Sequence, residues 1–111
     1  MEKPTKITSK NGNIVYRLNG KYHRVDGPAV ITSYTESWYR YGEYHRDNGP
    51  AVTYKNGTRF WYQHNKLHRE DGPACIFRDG RCEYWLEHKK ILPGSLAMKL
   101  IKEKERRNAN T

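Results

Sequence analysis

A chain of 111 residues with 35% hydrophobic and 30% charged positions has room for one modest core, and no stretch approaches the ~18 apolar residues of a membrane span. Nine Tyr and three Trp bury large areas while keeping a polar tip, which points to a folded chain despite a mean hydropathy of -1.09. The net charge of +9 divides into +2 over residues 1–10, +2 over 11–88 and +5 over 89–111, so the basic excess belongs mainly to the tail.

Residues 1–10, "MEKPTKITSK", carry no apolar run that could serve as a leader and read as a tail or first strand of a cytoplasmic protein. Residues 11–92 then repeat themselves. "YHRVDGPAV", "YHRDNGPAV" and "LHREDGPAC" are three copies of His-Arg-x-(Asp/Asn)-Gly-Pro-Ala. Seven residues before each His stands an aromatic, Tyr16, Trp38 or Trp61, and Trp85 extends the series at spacings of 22, 23 and 24. All the drift falls between the apolar residue that closes each motif and the next Trp, in stretches containing "SYT", "KNG" and "RDG". Asn-Gly and Asp-Gly suit hairpin tips, which gain a residue without moving the strands. A second turn falls four residues after each aromatic, at Gly20, Gly42, Asn65 and Lys89.

The expected fold is therefore all-β: an antiparallel meander of six to eight short strands built from hairpin repeats of 22–24 residues, with a short C-terminal α-helix. A two-residue turn at Asn56-Gly57 would set Val52 opposite Trp61 and Thr53 opposite Phe60. One face would then carry Trp38, Trp61 and Trp85 beside Val30, Val52 and Cys75; the other would carry Tyr39, Phe60 and Tyr62 with Ile31 and Ile76. One aromatic face forms the core, and the other is left for a helix, a second copy or a partner.

Within the motif, Pro28, Pro50 and Pro73 should each start a strand, and Asp26, Asn48 and Asp71 should hold the turns at Gly27, Gly49 and Gly72 through bonds to backbone N–H groups or the adjacent His. His23, His45 and His68 recur in successive hairpins, two strands and so about 9–10 Å apart, too far to converge on one ion, so no metal is expected and each His reads as structural. No Ser or Cys nucleophile recurs with them, so no enzyme and no cofactor is expected. Cys75 takes the place of Val30 and Val52; a disulfide to Cys82 would be strained. Arg24, Arg46 and Arg69 read first as a cross-strand ladder balanced by Glu43, Asp47 and Glu70, and second as an anion-binding stripe.

Residues 93–111 abandon the motif. Pro93-Gly94 ends the strand pattern, Ser95 can cap a helix to about Arg107, and Leu96, Ala97, Leu100 and Ile101 form its apolar face as a cover for the last repeat. Lys99, Lys102, Lys104, Arg106 and Arg107 are a solvated helix end or a nucleic-acid contact.

The unit aromatic-x-x-x-Gly-x-x-His, best seen in "YRLNGKYHRVDG" and "WYRYGEYHRDNG", resembles MORN repeats (membrane occupation and recognition nexus) over residues 11–92. That resemblance implies an elongated, curved sheet acting as a non-catalytic scaffold. Arg24, Arg46 and Arg69 stand where those repeats carry a small residue, so their phospholipid binding is not carried over. The His-Arg-x-Asp-Gly-Pro-Ala form also resembles repeats of small bacteriophage and large-virus proteins. This likeness implies a protein-binding module in the host cytoplasm that modulates or inhibits a host protein, for instance in a defence system. The alternative is a nucleic-acid or phosphate binder, and self-association is a third route.

Overall fold

A computed structural model describes residues 2–109. Unit one comprises β1 (Thr5–Thr8), β2 (Ile14–Leu18) and β3 (Lys21–Tyr22). Unit two comprises β4 (Val30–Ile31), β5 (Thr35–Ser37), β6 (Tyr39–Arg40) and β7 (Glu43–Tyr44). Unit three follows with β8 (Val52–Tyr54), β9 (Arg59–Phe60), β10 (Tyr62–Gln63) and β11 (Lys66–Leu67), and unit four with β12 (Cys75–Ile76), β13 (Cys82–Glu83), β14 (Trp85–Leu86) and β15 (Lys89–Lys90). Helix α1 (Leu96–Ala109) closes the described chain. The main antiparallel sheet runs β1-β2-β4-β5-β8-β9-β12-β13, with β3 on β2, and β6-β7, β10-β11 and β14-β15 form two-stranded ribbons. The fold is thus an all-β meander with a C-terminal helix, and its segments outnumber the expected six to eight strands. In units two to four the descending strand breaks at Trp38, Trp61 and Tyr84, whereas β2 runs unbroken through Tyr16.

Tip geometry accounts for the drift in repeat length. The tips enclose Lys10–Gly12, Ser33–Tyr34, Lys55–Gly57 and Arg78–Gly80, closed by Ser9 N–H to Asn13 O, Thr32 N–H to Thr35 O, Tyr54 N–H to Thr58 O and Phe77 N–H to Arg81 O. Three of the four are three-residue loops ending in a glycine at positive φ, such as Gly57 at 97°, the form a three-residue hairpin takes with a bulge. The two-residue turn expected at Asn56-Gly57 is therefore corrected, and the register slips by one: Val52 faces Phe60 and Thr53 faces Arg59.

That slip reassigns the faces. One row crosses the sheet as Ile7, Val15, Val30, Ser37, Val52, Phe60, Cys75 and Glu83. Phe60 joins Val52 and Cys75 on this face A, while Ile31 and Ile76 lie in the neighbouring row on face B with Thr53 and Arg59. Trp38 and Trp61 do not accompany Val30, Val52 and Cys75. Ala29, Ala51 and Ala74 are fully buried, with Val52, Cys75 and Ile101 completing a thin core.

The fourth anchoring aromatic is Tyr84, not Trp85. His23, His45 and His68 donate N–H to the carbonyls of Tyr16, Trp38 and Trp61, and Ile91 does the same to Tyr84 (2.7 Å). The helix begins where Met98 N–H meets Ser95 Oγ (3.1 Å). Its buried side carries Ile101, 3% exposed, whereas Leu96 and Leu100 are exposed at 72% and 51%, which corrects the expected apolar face. The helix is rotated by what it covers: Lys102 Nζ and Glu105 Oε2 both reach Tyr84 Oη, at 2.8 and 3.2 Å. The molecule measures 48 × 32 × 28 Å.

Candidate functional site

Each repeated motif closes a latch on face B. Arg24, Arg46 and Arg69 lay their guanidinium groups 4.1, 4.0 and 4.1 Å from the ring centroids of Tyr16, Trp38 and Trp61. Their Nη1 atoms donate to the carbonyls of Pro28, Pro50 and Pro73 at 3.1–3.2 Å. Nε of Arg24 and of Arg69 donates to Asp26 (3.0 Å) and Asp71 (3.1 Å), a bond absent where Asn48 replaces the acid. A Cβ on Gly27, Gly49 or Gly72 would fall 2.6–2.8 Å from the guanidinium carbon. Arg, Asp, Gly and Pro are thus one device, in which cation–π stacking and charge-assisted hydrogen bonds clamp the turn onto the aromatic. Three expectations change. The arginines form no cross-strand ladder with Glu43, Asp47 and Glu70, and Asp26 and Asp71 hold arginine rather than backbone N–H or His. The prolines precede the strands, which begin at Val30, Val52 and Cys75.

Unit four has no such arginine. Lys102 stands in from the helix, its Nζ 4.7 Å from the Tyr84 ring centroid. Lys104 reaches Glu70 (3.8 Å) and Asn108 donates to Asp71 (3.0 Å), so the helix also fastens the third latch. Two of the five basic helix residues are therefore tied to the body, and Lys99, Arg106 and Arg107 are exposed.

The histidines join one unit to the next. Nδ1 of His23, His45 and His68 accepts the N–H of Tyr41, His64 and Glu87, at 3.0, 3.1 and 3.0 Å. Those donors are the first residues of two-residue ribbon turns, with both central residues at positive φ: Tyr41-Gly42, His64-Asn65 and Glu87-His88. Bulky residues in that conformation cost about 1 kcal/mol or more, and the inter-unit bond helps hold them there. The second turn residue also donates, to the carbonyl of Tyr22, Tyr44 or Leu67 at 2.8–2.9 Å. His45 additionally donates from Nε2 to Asp47 (2.9 Å), whose carboxyl is held below the usual range first by that bond and then by Arg40.

Face A carries the other shared feature. Beside the Val52 row runs a second: Arg17, Tyr22, Tyr39, Tyr44, Tyr62, Leu67, Trp85 and Lys90. Ring centroids are 5.1 Å apart for Tyr22–Tyr39, 4.6 Å for Tyr39–Tyr44 and 4.9 Å for Tyr44–Tyr62. Tyr54, Phe60 and Phe77 meet edge to face at 5.9 and 5.8 Å in the adjoining rows. Burial raises the Tyr39 and Tyr62 hydroxyls above their ordinary pKa, with Tyr44 adding to both. Of the aromatics singled out from sequence, Tyr39, Phe60, Tyr62 and Trp85 lie on this face, whereas Trp38 and Trp61 lie under Arg46 and Arg69. Tyr22 and Tyr44 went unrecognised; their signal was a Tyr directly before His23 and His45, one residue from the motif.

Among the described residues no group of three or more His, Cys, Asp and Glu is placed to hold a metal ion, and no helix is long and apolar enough to cross a membrane. No protein-family model, curated protein or solved structure matches the chain.

Proposed function

We propose that this chain is a non-catalytic protein-interaction module that binds a folded partner through face A. The observation that carries this reading is the half-buried row from Tyr22 to Trp85. It crosses all four units, and its only charged members are Arg17 and Lys90 at its ends. Tyr and Trp with few Lys are the composition of protein interfaces, whereas single-stranded nucleic-acid sites set aromatics in a basic channel. The motif arginines, the main claim for an anion stripe, spend Nη1 and the guanidinium face within their own unit. The likeness to viral repeats makes modulation of a host protein the specific form of the reading.

The test is retrieval from host lysate with the wild-type chain and with Tyr44→Glu/Tyr54→Glu, alongside circular dichroism to confirm that the variant folds. A stoichiometric partner lost in the folded variant supports the reading. No partner, or one retained by that variant, overturns it. Affinity for DNA or RNA that falls steeply between about 50 and 200 mM salt, and weakens when Lys99, Arg106 and Arg107 are replaced by Ala, would establish the nucleic-acid reading instead.

A further inference from the structure

We infer that the outer edge of β1 is a second docking site, which takes an extended segment of a protein partner as an added strand, with an acidic residue and an aromatic residue two positions later. The site deepens the interaction reading and rests on it.

The argument starts from the equivalence of β1 with the ascending strands of the interior. "KNG" at Lys10–Gly12 matches "KNG" at Lys55–Gly57, so Lys6, Ile7 and Thr8 correspond to Ala51, Val52 and Thr53. In the interior the outer edge of β8 is covered by β5, with Thr35, Glu36 and Ser37 facing Tyr54, Thr53 and Val52. Lys55 donates N–H to Tyr34 O (2.8 Å), and Ala51 O accepts from Trp38 N–H (2.6 Å). Among the described residues nothing pairs with the matching edge of β1, all four of whose residues are exposed. Ser9 N–H turns inward to Asn13 O (2.9 Å), so by strand alternation Ile7 turns inward and Lys6, Thr8 and Lys10 present their backbone groups outward.

Charge selects the occupant. Lys3, Lys6 and Lys10 are exposed and form no ion pair among the described residues. A strand laid on β1 as β5 lies on β8 sets its Glu36 equivalent opposite Thr8, diagonal to Lys6 and Lys10 on the same face. The Trp38 equivalent falls beside Lys6, next to a cleft of about 850 Å³ bordered by Pro4 and lined by Tyr16, Leu18, Val25 and Tyr41. Val25 and Tyr41 are 59% and 63% exposed there. A second copy fits less well, because pairing two β1 edges gathers the lysines of both; edge lysines commonly discourage such pairing. Main-chain bonds along an open edge, with pockets for alternate side chains, are the means by which sheets recruit peptides.

The probe is a labelled, end-blocked peptide of the chain's own residues 33–39, SYTESWY, titrated with the full chain by fluorescence anisotropy. Saturable binding is expected, weakened about tenfold or more by Lys6→Glu/Lys10→Glu, by Glu→Lys in the peptide and by Trp→Ala in the peptide. Thr8→Pro, which removes an outward N–H, should abolish it. The lysine variant alters exposed side chains and serves where Thr8→Pro disturbs folding. Absence of binding at millimolar peptide, or binding indifferent to the lysine reversal, overturns the site. So does a dimer in sedimentation that Thr8→Pro dissolves, which would assign the edge to a second copy. Tyr44→Glu/Tyr54→Glu should leave peptide binding unchanged, so the edge and face A stand or fall separately.

Discussion

Gly72 lies outside the positive-φ region, so what demands glycine there is space: an added Cβ would fall 2.7 Å from the Arg69 guanidinium carbon. The arginine could swing away, but only by giving up its stack on Trp61 and its bonds to Asp71 and Pro73. Gly72→Ala and Arg69→Ala should therefore each cost about 2 kcal/mol, and Gly72→Ala in the Arg69→Ala background almost nothing. Urea denaturation of the four proteins measures that coupling. Cys75, 2% exposed, has its thiol pushed up to about 11 by burial, with Glu83 adding and Lys90 opposing. Since the unfolded thiol ionises near ~8.5, the stability tied to this raised pKa is complete below that pH and drains as pH climbs toward about 11. Cys75→Val, which copies Val30 and Val52, should flatten that loss. Iodoacetamide at pH 8 should modify exposed Cys82 alone in the native chain, with mass spectrometry counting one adduct.

At the scale of elements, the joints between units rest on few bonds. His45→Ala removes the acceptor of His64 N–H and the donor to Asp47 together. The cost should be about 2–3 kcal/mol, with hydrogen exchange quickening first at the β6-β7 and β10-β11 ribbons. Ile101→Ala should cost about 2–4 kcal/mol, because Ile101 is the buried residue of the helix at 3% exposure, while Leu100→Ala, at 51% exposure, should cost well under 1. Much of this scale was legible beforehand. The Gly-bearing tips, the second turn of units one to three, the helix after Pro93 and the Ser95 cap all follow from local backbone preferences. The turn expected at Lys89 is corrected: it falls at Glu87-His88, and Lys89 begins β15, because Tyr84 and not Trp85 anchors the unit. The register was not legible, since "KNG" suits a two- or a three-residue tip and only the closing bond from Tyr54 to Thr58 decides. Tyr84 was passed over for a similar reason: adjacent aromatics at 84 and 85 are indistinguishable until backbone pairing shows which one anchors the unit.

As a whole the molecule is long for its size. Its radius of gyration is 15.6 Å, against about 13 Å for a compact domain of this length. Small-angle scattering of the monomer should return a value above about 15 Å, and a compact value would contradict the linear stacking of units. An array of this form buries little at any one point, so among the described residues its apolar core is three alanines, a valine, a cysteine and one helix residue. The aromatics serve less as core than as two surfaces, one latched by arginine and one left as a row of tyrosines. The helix completes the pattern at one end by lending Lys102 to Tyr84, and β1 leaves the other end open among the described residues.

The sequence by itself determined the repeat, its hairpin turns and the all-β class, because glycine, proline and the alternation of apolar residues act within a few positions of themselves. Only the tertiary structure decided which face each aromatic occupies, since a single residue in a tip moves every side chain beyond it to the other side of the sheet. It also decided what the recurring arginine does. From its spacing alone Arg69 could have faced a neighbouring strand or an anion; folded, it closes over Trp61 because Gly72 leaves it the room.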